Sequence, residues 1–252
     1  MALAATFDDA KAHQVSLQGE DSGILLTPFF GARDKPDLPY AALSQQDPGR
    51  VTRTHFHIRD QFQVVVAGKG KLGRHDLAPL GVHFARAYTP YGPLVSDAGA
   101  GLSFFVLRAH PDPGPQFFPE QKDKLRQLPD RQPWQVTSQV TIPAPQSGAI
   151  AADFLLQSVP GMRDDQGLAA YALWMKPSAQ AAAPDPAVGD GQYLVVVNGS
   201  LLHNGKEHTA LALVFVAPSE GPYRICAGAH GLHALILNFP RPRMRSTGSA
   251  VS

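Results

Sequence analysis

The sequence is poor in the residues that mark disulfide-rich or strongly charged proteins. Of its 252 residues only Cys226 is a cysteine, so no intramolecular disulfide can form and the composition suits a reducing compartment. Lysine and arginine number 22 against 21 aspartate and glutamate residues, which leaves a formal net charge of +1. This balance gives no electrostatic case for binding nucleic acid.

Long hydrophobic runs are absent as well. No apolar stretch approaches the length of a membrane span, and the N-terminus lacks the basic-then-apolar layout of a signal peptide. We therefore expect a cytoplasmic protein with neither a membrane nor a nucleic-acid partner.

Apolar residues and chain-breaking residues are plentiful. Apolar types make up 44% of the chain, enough for a packed core without disulfides, and glycine and proline number 23 each. They separate short aliphatic and β-branched runs at close spacing, a pattern that favours an all-β sandwich or barrel over a helical fold.

Residues 54–68 hold the most informative pattern in the chain. His55 and His57 are two positions apart, and in a strand every second side chain lies on the same face. Two imidazoles on one face have the geometry that two ligands of one metal ion need. Three consecutive valines, 64–66, predict a second strand, and residues 67–70 predict the turn that ends it.

These residues resemble the first motif of the cupin superfamily. That motif is His-x-His, three residues, a polar residue that is usually Glu, six residues and a Gly; here Gln61 and Gly68 stand at the last two places. The second motif is a Gly, a short strand, a Pro-Gly type turn and a third His. Its counterpart is residues 81–92, with Tyr91 where the third His would stand.

The resemblance implies an all-β fold of cupin-type barrels, also described as a double-stranded β-helix or jelly roll. It further implies a metal centre in the barrel, since cupins include metal-dependent dioxygenases, isomerases and decarboxylases. Two of the four usual ligand positions are altered in this chain.

The second half of the chain repeats the first. Residues 61–68 align with residues 192–199, which lie 131 positions later, and other segments align at an offset of 130. The sequence therefore predicts two tandem cupin barrels, a bicupin. We expect an N-terminal barrel at 1–110, a Pro-rich connector at 111–134 with a short helix at 119–130, a C-terminal degenerate barrel at 135–240 and a disordered tail at 241–252.

The repeat also serves as an internal control on the candidate residues. At an offset of 131, His55 and His57 align with Pro186 and Val188, so the second half has no histidine pair. Gln61 aligns with Gln192, and Tyr91 aligns with Tyr223 after one residue of drift. Residues shared with a half that lacks the pair are more simply explained as hydrogen-bonding groups.

His83 aligns with Val214 on a strand that is apolar in the other copy. An inward His83 would need a buried partner such as a metal ion, whereas an outward one would be an ordinary surface histidine. Alternation along the strand leaves the choice open.

The candidate site residues fall into two sets. The predicted metal ligands are His55, His57, Gln61 and His83, and the predicted ligand-binding residues are Gln61, Gln63, His83 and Tyr91. Asp60 could replace Gln61 if the preceding turn were one residue shorter. Imidazole and oxygen donors suit a divalent transition metal: Fe, Zn, Mn or Ni.

Two functions remain open. The first is a metal-dependent enzyme of the dioxygenase, isomerase or decarboxylase type that acts on a small organic molecule in the N-terminal barrel. The second is a non-catalytic binding or sensor protein whose barrel holds a small ligand. A homodimer is an open option for its assembly.

Overall fold

The structure, a computed structural model, describes residues 2–31, 38–128, 130–145 and 152–242. These residues form mainly β-strands, with two short α-helices and 3₁₀ turns at Gly19–Asp21, Pro186–Val188 and Pro218–Glu220. None of the helices in this part of the chain has the length and apolar character needed to cross a membrane.

The strands and helices follow one another in two series. The first series is β1 (Leu3–Ala5), α1 (Phe7–Lys11), β2 (Val15–Ser16), β3 (Ile24–Phe30), β4 (Tyr40–Gln46), β5 (Val51–Thr52), β6 (His55–Phe56), β7 (Gln61–Gly68), β8 (Gly70–Leu72), β9 (His75–Leu77), β10 (Gly81–Ala85), β11 (Leu94–Ser96), β12 (Leu102–Arg108), β13 (Gln116–Phe117) and α2 (Lys122–Arg126). The second series is β14 (Gln135–Gln139), β15 (Phe154–Arg163), β16 (Ala169–Met175), β17 (Gln180–Ala182), β18 (Gln192–His203), β19 (Lys206–Thr209), β20 (Leu213–Val216) and β21 (Arg224–Asn238).

Each half of the chain builds one barrel around a large antiparallel sheet. The first large sheet has the order β14-β10-β7-β12-β4-β3-β2, and a smaller sheet, β5-β11-β8-β9, forms its second layer. The second large sheet has the order β1-β20-β18-β21-β16-β15, with β19 paired to β18 and β17 paired to β21. The valines at 64–66 in β7 and at 195–197 in β18 thus occupy equivalent strands, and the predicted tandem arrangement is confirmed.

A glycine marks the same bend in both copies. Gly68 and Gly199 have positive φ angles of 75° and 69°. A Cβ at Gly68 would lie 2.3 Å from the carbonyl oxygen of Gly101, and one at Gly199 would lie 2.1 Å from that of Gly231. Only glycine fits there, because it accepts the left-handed conformation and the close approach of backbone.

The two halves exchange one strand each. β14, at the start of the second half, pairs with β10 of the first sheet, so that Val136 lies opposite Phe84. β1, at the start of the first half, pairs with β20 of the second sheet, so that Leu3 lies opposite Phe215. The expected division at 1–110 and 135–240 places β1 in the first barrel and β14 in the second. In the structure each of these strands pairs with the sheet of the opposite barrel. Their pairing covers the edges of β10 and β20, which would otherwise carry unpaired backbone groups.

The core between the two large sheets is built from their outward faces. Phe62, Phe84 and Phe105 contribute to this core from the first sheet, and Tyr193 and Phe239 contribute from the second half. The ring centroids of Phe62 and Phe84 are 4.7 Å apart, and those of Phe62 and Phe239 are 5.1 Å apart. In both halves, therefore, every second residue along these strands is apolar and packs against the other half.

The inward faces differ between the barrels. The interior of the second barrel is a continuous apolar cluster: Leu173, Met175, Ala183, Leu194, Val196, Leu201, Ala212, Val214, Val216, Ile225, Ala227, Leu232, Ala234 and Ile236. The first barrel has a smaller apolar cluster: Val65, Leu72, Leu77, Ala85, Tyr91, Leu94, Leu102 and Phe104. The rest of its inward-facing set is polar.

The connector at 111–134 is more closely tied to the first barrel than a simple linker. Its strand β13 pairs with β6, so that Phe117 lies opposite His55. The predicted helix at 119–130 is shorter in the structure, where α2 spans only Lys122–Arg126. Most of the predicted disordered tail, from residue 243 onward, lies outside the described residues.

Candidate functional site

Alternation along three neighbouring strands brings polar side chains to the inside of the first barrel. Gln61 and Gln63 on β7 alternate with outward-facing residues, and His83 on β10 lies opposite Gln63 in register. Arg108 ends β12, beside them. The ring centroid of His83 lies 5.2 Å from that of Tyr91, a member of the apolar cluster inside the first barrel, so His83 faces inward, which answers the question that the sequence left open.

The histidine pair enters this interior from a short strand. His55 lies in β6 and exchanges both backbone hydrogen bonds with Tyr91, at N···O distances of 3.1 and 3.0 Å. The ring centroids of His55 and His57 are 5.3 Å apart, and that of His55 is 4.6 Å from the ring of Tyr91. The structure thus brings the pair together and buries both rings.

Each imidazole of the pair is fixed through its Nδ1 atom. His55 Nδ1 lies 2.8 Å from the carbonyl oxygen of Arg53, and His57 Nδ1 lies 2.7 Å from Oδ1 of Asp112. An oxygen acceptor on this side means that Nδ1 donates its hydrogen, so Nε2 keeps its lone pair. Asp112 is itself held, since its Oδ2 accepts the backbone N–H of Ile58 at 3.0 Å.

Burial sets the protonation of the histidines. Burial first, and then the nearby charge of Arg108, lower the pKa of His57 to about 3 against the effect of Asp112. Burial also lowers the pKa of His55, and it lowers that of His83 to about 3. All three imidazoles are therefore neutral bases at neutral pH.

Gln61 joins Tyr91 to Arg108. Its amide Nε2 donates to the hydroxyl of Tyr91 at 2.7 Å, and its Oε1 accepts from Nη2 of Arg108. Burial raises the pKa of Tyr91 above its usual value, so the hydroxyl keeps its proton. The glutamine and the tyrosine thus hydrogen-bond to each other, as hydrogen-bonding groups in the barrel would.

His83 stands apart from the pair in its bonding. Its Nδ1 lies 2.9 Å from Oγ1 of Thr137 on the exchanged strand β14, and its ring centroid is 5.2 Å from that of Tyr91. Its buried Nε2 has no hydrogen-bond partner among the described residues. Within those same residues, no group of three or more His, Cys, Asp or Glu side chains is placed to hold one metal ion.

The remaining candidates have different surroundings. The carboxylate of Asp60, the alternative to Gln61, accepts the backbone N–H of Ala87 at 2.7 Å and so belongs to the turn. Gln63 is buried on the inward face of β7. An open groove of about 600 Å³ lies on the second barrel, and its lining includes His203, Tyr223 and Val216 of the apolar cluster.

Two residues of the site were missed by the sequence analysis. Arg108 aligns with Asn238 at the offset of 130, so the repeat comparison carried a signal at this position. Asp112 lies in the connector and is 55 residues from His57, its partner. Only the folded structure brings these two together, and neither spacing nor repeat reveals the contact.

Comparisons with solved structures identify the fold. A bacterial pirin from Escherichia coli, YhhW, in complex with nickel(II), is 10% identical with a TM-score of 0.61, and the alignment covers 96% of this chain and 100% of that one. A candidate dioxygenase from Nostoc punctiforme is 10% identical with a TM-score of 0.67, covering 97% and 85%. An oxalate decarboxylase from Lactobacillus farciminis, in a formate complex, is 14% identical with a TM-score of 0.56, covering 94% and 86%.

Neither a family model nor a curated protein matches the sequence. At such low identity the structural likeness concerns the fold alone. The predicted fold class, all-β with two cupin-type barrels in tandem, is confirmed.

Proposed function

We propose that the first barrel binds a small organic molecule at its polar cluster, the inward-facing side chains of Gln61, His83 and Arg108. We further propose that it holds a divalent transition metal through His55 and His57. One observation carries the proposal. Both imidazoles donate Nδ1–H to a fixed oxygen, on Arg53 or Asp112, so each Nε2 carries a lone pair and no proton. Metal-ligating histidines in proteins usually have this arrangement, with a carboxylate or backbone carbonyl on the other ring nitrogen.

The two imidazoles can supply two ligands to one metal ion. Neutral imidazoles bind Fe, Zn, Mn and Ni, and two protein ligands leave positions open for water or a ligand. A metal bound there would supply Lewis-acid chemistry to a small molecule, as in an enzyme of the dioxygenase, isomerase or decarboxylase type. The nickel(II) complex of the E. coli pirin, which has the same fold, supports this choice of metals.

Gln61 and His83 remain predicted as further ligands. Oε1 of Gln61 accepts from Arg108, so ligation would require that hydrogen bond to be given up. The buried Nε2 of His83 is without a partner among the described residues, which makes it the better third donor.

A second candidate is a metal-free binding or sensor module. Its support is Arg108, whose Nη2 lies 3.2 and 3.3 Å from the two ring nitrogens of His57. A cation against this ring opposes the binding of a second cation. The hydrogen bond from Gln61 to Tyr91 also occupies the two positions where cupins usually carry the other metal ligands.

Metal analysis of protein purified without an affinity tag separates the two candidates. The cells are grown in medium supplemented with Fe, Zn, Mn and Ni salts, and metal content is measured by inductively coupled plasma mass spectrometry. We expect stoichiometric metal in the unaltered protein and none in the His55→Ala/His57→Ala variant. The matched control is His203→Ala/His208→Ala in the second barrel, which should keep the metal.

Metal that persists in the His55→Ala/His57→Ala variant, or its absence from the unaltered protein, would rule out the metal proposal. The metal-free module would then take its place.

A further inference from the structure

Arg108 is a buried cation without a direct ion-pair partner among the described residues. The residue is 5% exposed, and its Nε atom is buried without a hydrogen-bond partner among the described residues. No carboxylate in the described part of the chain forms an ion pair with it. The contrast is Arg86, which is similarly buried but paired with Asp164. A guanidinium cannot give up its charge, so Arg108 remains charged in the barrel without a carboxylate in direct contact among the described residues.

The groups around Arg108 are neutral or already bound. Its guanidinium lies 4.8 Å from the ring centroid of Tyr40, and Nη2 donates to the amide oxygen of Gln61. His57 is a neutral imidazole. Against the effect of burial, the bond to His57 and the charge of Arg108 lower the pKa of Asp112. The carboxylate of Asp112 is occupied by His57 and by the backbone N–H of Ile58.

The second barrel indicates that the fold does not require a cation at this position. Gln192 lies opposite Asn238 in register, at the place that Gln61 and Arg108 occupy in the first barrel. There Nε2 of Gln192 donates to Oδ1 of Asn238 at 2.8 Å. A glutamine and an asparagine thus fill the same site of the same fold with no net charge.

We propose that Arg108 recognises an anionic group of the ligand, and that the ligand class is small carboxylic acids. This rests on the proposed function only in that the polar cluster of the first barrel binds a small molecule, with or without metal. The planar fork of a guanidinium matches a carboxylate in two parallel hydrogen bonds. A bound carboxylate would supply the counter-ion that the described residues lack.

The test uses thermal unfolding of protein that has been freed of metal with EDTA and then dialysed, at constant ionic strength. Acetate and malonate are compared with acetamide and malonamide, their neutral counterparts, and with phosphate and sulfate. We expect either acid to raise Tm by about 5–10 °C at about 100 times its Kd, and the amides to have no effect. Equal responses to acids and amides, or no response to the acids, would overturn the proposal. A larger response to phosphate or sulfate would overturn the carboxylate class.

Arg108→Asn reproduces the glutamine–asparagine pair of the second barrel. We expect its Tm without acid to equal or exceed that of the unaltered protein, and its response to acid to be lost. Arg86→Gln is the matched control, since it removes another buried arginine; it should lower Tm through the loss of the Asp164 pair and keep the response. An acid response that survives in Arg108→Asn contradicts the proposal.

Gln61→Glu provides a second, independent variant. It places a carboxylate against the guanidinium of Arg108, so the protein should unfold at a higher temperature and no longer respond to acid. A Gln61→Glu protein with an undiminished response would also contradict the proposal. These measurements are made without metal, so the result of the metal analysis, whether metal is found or not, does not decide whether Arg108 binds carboxylic acids.

Discussion

The two barrels of this chain have the same strand order but opposite interiors. On the inward face of the central strand, the first barrel presents Gln61 and Gln63, and the second presents Leu194 and Val196 beyond the shared Gln192. On their outward faces the two sheets are alike, because they form one apolar core together. The requirement to pack the halves together therefore constrains one face of each strand and leaves the other face free to differ.

The polar interior depends on parts that lie outside its own strands. Asp112 from the connector orients His57, and Thr137 from the exchanged strand β14 contacts His83. Buried polar groups are costly without such partners. The second barrel has fewer polar groups to support: Gln192 donates to Asn238 and to the carbonyl oxygen of Pro184, and the large cluster around them is apolar.

The shared outward face predicts the largest effect on stability. Phe62 is fully buried and contacts Phe84 and Phe239, so Phe62→Ala should lower the free energy of unfolding by about 3–5 kcal/mol. Tyr193 is its counterpart, and Tyr193→Ala should cost a similar amount. Urea denaturation measures both. A loss confined to one of the two would show that the halves do not share the core equally.

The polar interior predicts a loss of stability in acid. The pKa of His83 is about 3 in the folded protein and 6.5 ordinarily, so between these values the unfolded chain binds a proton that the folded protein does not. Its contribution is complete above about pH 6.5 and falls as pH decreases toward 3, by roughly 3 kcal/mol at about pH 4. His83→Val, which copies Val214, should remove this part of the acid loss. Urea denaturation midpoints of both proteins, measured above pH 6.5 and at about pH 4, test this prediction. An equal loss of stability in acid for the variant and the unaltered protein would refute it.

The connector predicts an effect on metal affinity. If His57 is a ligand, Asp112→Asn should weaken metal binding about 10–100-fold, because the carboxylate that orients the ring is lost. The matched control is Asp190→Asn, whose carboxylate contacts the half-exposed His110 at 2.9 Å. Competition with a chelating dye measures the affinity. Equal effects of the two substitutions would mean that Asp112 has no special role.

The smallest predicted effect lies between the two halves. The hydroxyl of Tyr193 donates to the carbonyl oxygens of Tyr40 and Arg108, at 3.0 and 3.2 Å. Tyr193→Phe should cost about 1 kcal/mol, the usual net contribution of such bonds. Phe62→Tyr, at the equivalent position, places a hydroxyl in the apolar core and should not be stabilising. A gain of stability in Phe62→Tyr would show that the environments of residues 62 and 193 do not differ in this way.

Sequence patterns predicted the repeat, the strand class and the position of the histidine pair. These features follow from local spacing: β-branched runs, Gly68 and its copy Gly199, and alternation along a strand. The inward direction of His83 and the partners Asp112 and Thr137 did not follow. They depend on which distant strand lies beside which, and the exchange of β1 and β14 is not encoded in the spacing of either half.

The exchange of β1 and β14 has a consequence for how this chain can change over evolutionary time. Each copy gives its first strand to the other, which is the reciprocal relation of two identical subunits about a two-fold axis. Two separate identical subunits would carry every substitution twice, so a histidine pair gained or lost in one would be gained or lost in both. Joined in one chain, the copies mutate independently. One barrel can become apolar and serve as a scaffold while the other keeps its polar interior.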